Sequence, residues 1–137
     1  MKNKFNVNLD NEFYLVICDH KSGPYTMEIP LADMTKKNVM KELIEGQYDN
    51  PIAVIYFNPA EGHSSEVSED FALDWINHIA NNAVDYIDES GFEPEMRIPA
   101  FIKMHLPDYE AYAAEVMDDY RLNRQDPDRL YGVPARI

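Results

Sequence analysis

The heptapeptide PIAVIYF, residues 51–57, is the feature that most restricts how this chain folds. Its apolar side chains occupy both alternating sets of positions, so a strand formed here is apolar on both faces. Such a strand is stable between neighbouring strands and beneath other elements of structure. The pair Asn58–Pro59 ends it. The sequence therefore predicts a central strand of a sheet.

Three segments before it also have the character of strands. FNVNL at residues 5–9 alternates, EFYLVIC at 12–18 is a continuous apolar run, and YTMEI at 25–29 alternates again. The pair Asp10–Asn11 and the segment HKSGP are turn sequences between them. We expect three antiparallel strands in a meander.

Helical patterns occupy much of the remaining sequence. Asp33 or Thr35 is a suitable N-cap for a helix that Gly46 ends. A short helical stretch is expected in IPAFIKMHL, and Pro107 or Asp108 begins a helix that reaches about Arg124. One more helix, which carries most of the functional argument, is described below.

Together these elements predict the α+β fold class, with a small, mostly antiparallel sheet of about four strands packed against three to four helices. A chain of 137 residues fits one domain, which we assign to residues 1–125. The proline-broken residues 126–137 are expected to form a loosely ordered C-terminal tail.

The sequence shows no export or membrane signal. The N-terminal residues contain no apolar stretch of signal-peptide length, and nowhere do about 18 apolar residues follow one another. We therefore expect a cytoplasmic protein. The single Cys18 lies in the apolar run FYLVIC, so it is interpreted as a small buried hydrophobe rather than a reactive thiol.

One block of the chain carries the whole net charge of −13. Residues 42–96 contain thirteen Asp and Glu residues and no Lys or Arg, whereas residues 1–41 and 97–137 are nearly balanced. A nucleic acid or an anionic membrane as direct partner would require clustered Lys and Arg instead. The localised negative charge favours a basic protein surface, a cation, or an acidic face that only keeps the protein soluble.

A helix predicted over residues 68–89 contains much of this charge, with Ser68 as N-cap and Gly91 as stop. Its apolar side consists of residues three or four apart, namely Ala72, Trp75, Ile76, Ile79, Ala83, Tyr86 and Ile87. Polar residues on the opposite side and its flanks are the predicted partner-binding residues: Glu66, Glu69, Asp70, Asp74, Asn77, Asn81, Asp85, Asp88 and Glu89. Each pair of like charges at this spacing costs roughly 0.2–0.5 kcal/mol, which the sequence tolerates.

No sequence pattern predicts a catalytic residue, a metal site or a cofactor. The five Gly are scattered singly, so no phosphate-binding loop is formed, and no Cys or His residues have zinc-ligand spacing. DESGFEPE lacks the spacing of a calcium loop. The most enzyme-like pair is Asp74 with His78, one helical turn apart, where the carboxylate would orient the imidazole and raise its pKa.

The run from Glu45 to Ile76 resembles segments of small uncharacterised acidic proteins carried by proteobacterial phages and plasmids. The residues that carry the resemblance are GQYDNP, the strand PIAVIYF, FNPAEG and VSEDFA. This resemblance implies a mobile-element setting and no site residues. In charge and size alone, the chain looks like anti-restriction and anti-CRISPR inhibitors, some of which mimic DNA.

The leading hypothesis is a non-enzymatic protein that binds a basic surface, such as that of a nucleic-acid-handling protein, through the acidic helix and its flanks. The alternative is a self-associating module whose exposed Tyr residues and Trp75 form a homodimer face. Tyr109, Tyr112 and Tyr120 are also candidates for the core, because they share one side of the last helix. A small-molecule enzyme is the third hypothesis and requires a pocket lined by His and carboxylates.

Overall fold

A four-stranded antiparallel sheet organises the N-terminal part of the computed structural model, which describes residues 8–91 and 94–125. Its strands are β1 (Phe13–His20), β2 (Gly23–Thr26), β3 (Pro51–Asn58) and β4 (His63–Glu66), in the spatial order β2-β1-β3-β4. β3 pairs with β1 on one edge and with β4 on the other, so the predicted central strand is confirmed.

The predicted meander is confirmed only in its second half. β1 and β2 form the hairpin expected around HKSGP, with His20 opposite Gly23. The predicted extent of the third strand, residues 25–29, is wrong at its end, because β2 stops at Thr26. The expected first strand, residues 5–9, lies mostly outside the described residues, and Leu9 belongs to no strand. Its carbonyl instead accepts a hydrogen bond from the Ala60 N–H at 3.0 Å.

The first helix, α1 (Lys36–Ile44), has the predicted ends. Thr35 is the N-cap, and its hydroxyl accepts a hydrogen bond from the Asn38 N–H at 3.2 Å. Gly46 follows the C-cap with φ +74°, a conformation that glycine adopts without steric cost. α1 buries Val39 and Leu43, and the predicted burial of Cys18 on β1 is also confirmed.

The second helix, α2 (Ser68–Asn81), is shorter than predicted. The predicted end at about Glu89 is wrong, because Asn82 leaves the helix with φ −130° and ψ 39° and its Nδ2 donates to the His78 carbonyl at 2.9 Å. An asparagine side chain that bonds to the backbone in this way competes with continued helix. A short 3-10 helix, Ala83–Asp85, follows.

The C-terminal part contains a two-stranded antiparallel pair and two further helices. The strands are β5 (Ile87–Asp88) and β6 (Glu95–Met96), and the helices are α3 (Ala100–His105) and α4 (Tyr109–Gln125). The two helices agree with the sequence prediction to within one or two residues. With the four-stranded sheet, these elements confirm the α+β class.

The chain divides into two compact units, with the boundary between Ala72 and Leu73, inside α2. The prediction of one domain over residues 1–125 stays a prediction. The tail predicted for 126–137 lies outside the described residues.

The apolar side predicted for residues 68–89 is largely confirmed even though the helix ends early. Five of its members are buried, namely Ala72, Trp75, Ile76, Ile79 and Ile87, while Ala83 and Tyr86 are half-buried. In the C-terminal unit the rings of Trp75 and Phe101 lie 6.0 Å apart. On α4 the expectation of a tyrosine core is wrong for Tyr112, which is exposed, and Met117 is the buried residue instead.

Candidate partner-binding surface

All nine predicted partner-binding residues are exposed in the structure. Three of them, Glu66, Glu69 and Asp70, belong to the N-terminal unit, and the other six belong to the C-terminal unit. Glu66 lies on β4 opposite Ile55, and Glu69 and Asp70 lie in the first turn of α2. The positive end of the helix dipole favours carboxylates at those two positions.

The start of α2 is fixed to β3 by two hydrogen bonds on one residue. Val54 donates its N–H to the Ser68 hydroxyl and accepts a hydrogen bond from the Val67 N–H, both at 2.9 Å. The prediction that Ser68 is the N-cap is wrong, because Ser68 is the first residue of α2. Its buried hydroxyl accepts the hydrogen bond from β3 instead of capping the helix. This attachment determines where the acidic first turn lies within its unit.

Within the C-terminal unit, the remainder of α2 separates its polar and apolar residues as predicted. Asp74, Asn77 and Asn81 are exposed, whereas Trp75 and Ile76 are buried. The spacing of three and four residues keeps each set on one side of the helix. The sequence prediction therefore identified which side of this segment faces water.

The last three predicted residues do not extend the helix. Asp85 lies in the 3-10 helix, Asp88 in β5, and Glu89 directly after that strand. The expected ladder of carboxylates along a single helix is therefore wrong beyond Asn81. The cause is again the exit of the chain from helical geometry at Asn82.

A basic residue lies close to this part of the acidic segment. The Arg97 guanidinium donates from Nη2 to the Asp85 carbonyl at 2.9 Å, and the Arg97 N–H donates to the Tyr86 carbonyl at 2.7 Å. The carboxylate of Asp88 accepts the Ser90 N–H at 2.9 Å. Hydrogen bonds from the Ser90 side chain and N–H, and then the charge of Arg97, lower the pKa of Asp88.

A groove in the C-terminal unit was not predicted from the sequence. It has a volume of about 800 Å³ and lies between residues of α2, the 3-10 helix and α4. Its lining residues are Ile76, Asn77, Ala80, Asn81, Ala83, Val84, Tyr112, Glu115, Val116, Asp118, Asp119, Tyr120 and Leu122. Only Asn77 and Asn81 among the predicted binding residues contribute to it.

The groove combines exposed apolar side chains with carboxylates. Val84 is 72% exposed, Leu122 45% and Tyr112 37%. Glu115, Asp118 and Asp119 on α4 are exposed. The signal for this groove in the sequence is two apolar residues, Val84 and Leu122, that the helical patterns do not require. Nothing in the sequence indicates that they line one groove.

The predicted enzyme-like pair on α2 is Asp74 with His78, and the contacts of His78 hold its ring against neighbouring side chains. The imidazole is half-buried and meets the Tyr86 ring edge-on at 6.1 Å between centroids. Its Nδ1 lies 3.5 Å from Nδ2 of Asn82. These contacts place the ring against the helix end rather than in the groove, whose lining residues include carboxylates and phenols but no His.

The described residues form neither a metal-binding group nor a membrane-spanning helix. Over 8–91 and 94–125, no three His, Cys, Asp or Glu side chains form a group suited to hold a metal ion. In the same residues no helix has the length and apolar character needed to cross a bilayer.

Comparison of the chain with protein-family models, with curated proteins and with solved structures finds no match in any of the three.

Proposed function

We propose that this chain is a non-enzymatic acidic protein that binds a basic protein surface. The observation that carries the proposal is that residues 42–96 contain thirteen acids and no Lys or Arg, while all nine predicted binding residues are exposed. Exposed acids accelerate association with a basic partner by steering it before contact. The interaction is electrostatic, so it weakens as salt is added.

The class of partner follows from the charge. Proteins that handle nucleic acids present Lys and Arg to phosphates, and carboxylates on a folded surface offer the same sign of charge. We extend the proposal to a cytoplasmic inhibitor encoded by a phage or plasmid, of anti-restriction or anti-CRISPR type, that mimics DNA. The sequence resemblance of the run from Glu45 to Ile76 supports this setting.

The test compares two variants that change charge equally. Glu69→Gln, Asp70→Asn and Asp74→Asn remove three carboxylates from α2, and the control Asp19→Asn, Glu28→Gln, Asp33→Asn removes three exposed carboxylates elsewhere. The probe is a fluorescein-labelled lysine decamer, followed by anisotropy at low and high salt. Thermal unfolding of each protein shows that it remains folded.

We expect the α2 variant to bind the decamer about tenfold more weakly at low salt, while the control changes less than about twofold. Addition of salt should reduce the difference between the two variants, because screening removes the contribution of exposed charges. Equal weakening in both variants would show that only net charge matters and would contradict the proposal.

A self-associating module is the second candidate, favoured by the exposed Val84, Tyr112 and Leu122. Trp75 does not belong to a dimer face, because only 6% of it is exposed. Light scattering at low and high salt separates the candidates. An apolar dimer persists when electrostatic contacts are screened, whereas the leading proposal expects the chain alone to remain monomeric at both concentrations.

A further inference from the structure

Several exposed apolar side chains line the groove of the C-terminal unit. Val84 lies in the 3-10 helix with 72% of its surface exposed, and Leu122 and Tyr112 on α4 are also exposed. Single exposed apolar residues are ordinary, but several that line one groove offer a concave surface for the apolar side chains of a ligand. A volume of about 800 Å³ is sufficient for several side chains of a ligand.

The charged residues that line the groove are all acidic. Its lining residues include the carboxylates of Glu115, Asp118 and Asp119 and contain no Lys or Arg. Asp118 has an ion pair with Arg121 at 3.6 Å, but both side chains are largely exposed, and such pairs contribute little. The amides of Asn77 and Asn81 add uncharged hydrogen-bonding groups.

We propose that this groove binds a cationic amphipathic segment of the partner, with its apolar side chains against Val84 and Leu122 and its Lys or Arg residues towards the α4 carboxylates. An amphipathic helix placed in an apolar groove is a recurrent mode of peptide recognition. The inference rests on the proposed function and adds a second, apolar determinant that acts together with charge.

The charge of the groove distinguishes this occupant from a second copy of the chain. Each copy carries a net charge of −13, so two copies that met at this groove would bring together surfaces of the same sign. A cationic segment removes that repulsion and buries the apolar lining at the same time. Charge complementarity therefore favours the cationic partner.

The probe is an 18-residue peptide of Leu and Lys in which Leu recurs at helical spacing, so that one side is apolar. A peptide of the same composition with scrambled order has the same charge without an apolar side. Anisotropy with the full chain should give a dissociation constant about tenfold lower for the amphipathic peptide. Equal affinity for both peptides would overturn the inference.

Substitution of Val84 by Asp tests the apolar lining without disturbing the core, because the side chain is exposed. We expect Val84→Asp to weaken binding of the amphipathic peptide about tenfold, since the peptide would bury an unpaired carboxylate beside its Leu side chains. Met104→Asp is the matched control, because Met104 is exposed on α3 outside the groove. An effect of the control as large as that of Val84→Asp would contradict the assignment.

The α4 carboxylates are tested by a charge-matched pair of variants. One combines Glu115→Gln, Asp118→Asn and Asp119→Asn, and its control combines Glu95→Gln, Asp108→Asn and Glu110→Gln, which are exposed outside the groove. The groove variant should lose both affinity and salt dependence for the amphipathic peptide. If both variants lose them equally, the carboxylates of the groove have no special part.

Failure of this inference differs from failure of the proposed function. The lysine decamer could still bind the α2 variant more weakly than its control while Val84→Asp leaves the affinity for the amphipathic peptide unchanged. That result would support the proposed function and contradict the groove assignment. If Val84→Asp converts a dimer of the chain into a monomer in light scattering, the occupant is a second copy and the inference is overturned.

Discussion

The two units of this protein differ in how completely they cover their apolar side chains. Seven large apolar residues are exposed in the described part of the chain, and five of them, Leu73, Val84, Met104, Tyr112 and Leu122, belong to the C-terminal unit. The N-terminal unit contains a four-stranded sheet. The strands described in the C-terminal unit are only β5 and β6, which are two residues long and pair with each other. Within the described residues, the C-terminal unit therefore leaves more large apolar side chains exposed than the N-terminal unit does, and the groove proposed to bind a peptide depends on three of them.

The largest expected change in stability comes from a substitution in the core of the N-terminal unit. Phe71 is fully buried, and its ring lies 5.6 Å from that of Tyr14. We expect Phe71→Ala to lower the free energy of unfolding by about 3–5 kcal/mol, because it removes buried surface and leaves a cavity. Urea unfolding followed by circular dichroism measures it.

The matching substitution in the C-terminal unit is Val84→Ala. Because Val84 is mostly exposed, its truncation should change stability by less than about 0.5 kcal/mol. A loss comparable to that of Phe71→Ala would show that the groove belongs to the core of its unit, and the contrast between the units would fail.

The next effect concerns the attachment of α2 to β3. Ser68→Ala leaves the buried Val54 N–H without the hydroxyl that accepts it, which should cost about 1–3 kcal/mol in urea unfolding. Ser65→Ala on β4 is the control, since Ser65 is exposed and should cost less than about 0.5 kcal/mol. Equal losses would indicate that the hydrogen bond to Val54 contributes nothing specific.

The stability of the N-terminal unit should depend on alkaline pH through one buried tyrosine, Tyr48. The Tyr48 hydroxyl donates to Oε2 of Glu42 at 2.7 Å, and burial, followed by this hydrogen bond, raises the pKa of Tyr48 well above its ordinary value. A raised pKa in the folded state stabilises the protein fully below the unfolded value of about 10, and this contribution is lost as the pH rises beyond it. Unfolding free energies measured from pH 8 upwards should therefore fall above about pH 10.

Tyr48→Phe tests the origin of that pH dependence. The variant lacks the ionisable hydroxyl, so its stability should decline less steeply above about pH 10, although it loses about 1 kcal/mol near neutrality with the hydrogen bond. Tyr112→Phe, at an exposed position of the C-terminal unit, is the control and should keep the parent's pH profile. An unchanged profile in Tyr48→Phe would place the effect on another group.

The smallest effect belongs to the turn after β5. The hydrogen bonds from Ser90 lower the pKa of Asp88, so the charged form is favoured in the folded protein and the contribution is lost as the pH falls through that pKa. NMR titration of the Asp88 carboxyl should give a midpoint below the ordinary value of about 3.9. Ser90→Ala removes the hydroxyl and keeps the N–H, so it should raise the midpoint, and an unaltered midpoint would exclude the Ser90 hydroxyl as a cause.

Sequence reasoning succeeded where side-chain periodicity reports the environment directly. The apolar runs located β1 and β3, and Thr35 and Gly46 located the ends of α1. The exposure of the predicted binding residues also follows from periodicity, because the buried residues between them were identified correctly.

Three features were not predicted from the sequence, each for a different physical reason. β4 is HSSE, whose polar and exposed side chains give no alternating apolar pattern, although its backbone pairs with β3. The end of α2 depends on one side-chain hydrogen bond at Asn82. The groove depends on how Val84 and Leu122 are brought to one cavity, which is a tertiary arrangement that no local pattern records.

The most direct test of the central claim is a residue-resolved map of where the amphipathic Leu and Lys peptide contacts the full chain. Amide shifts in nitrogen-proton correlation spectra should change at residues 76–84 and 112–122, the segments that line the groove. The amides of β1 and β3 should remain nearly constant. Shifts confined to the N-terminal unit, or spread evenly over exposed acids such as Asp19 and Asp33, would contradict the account.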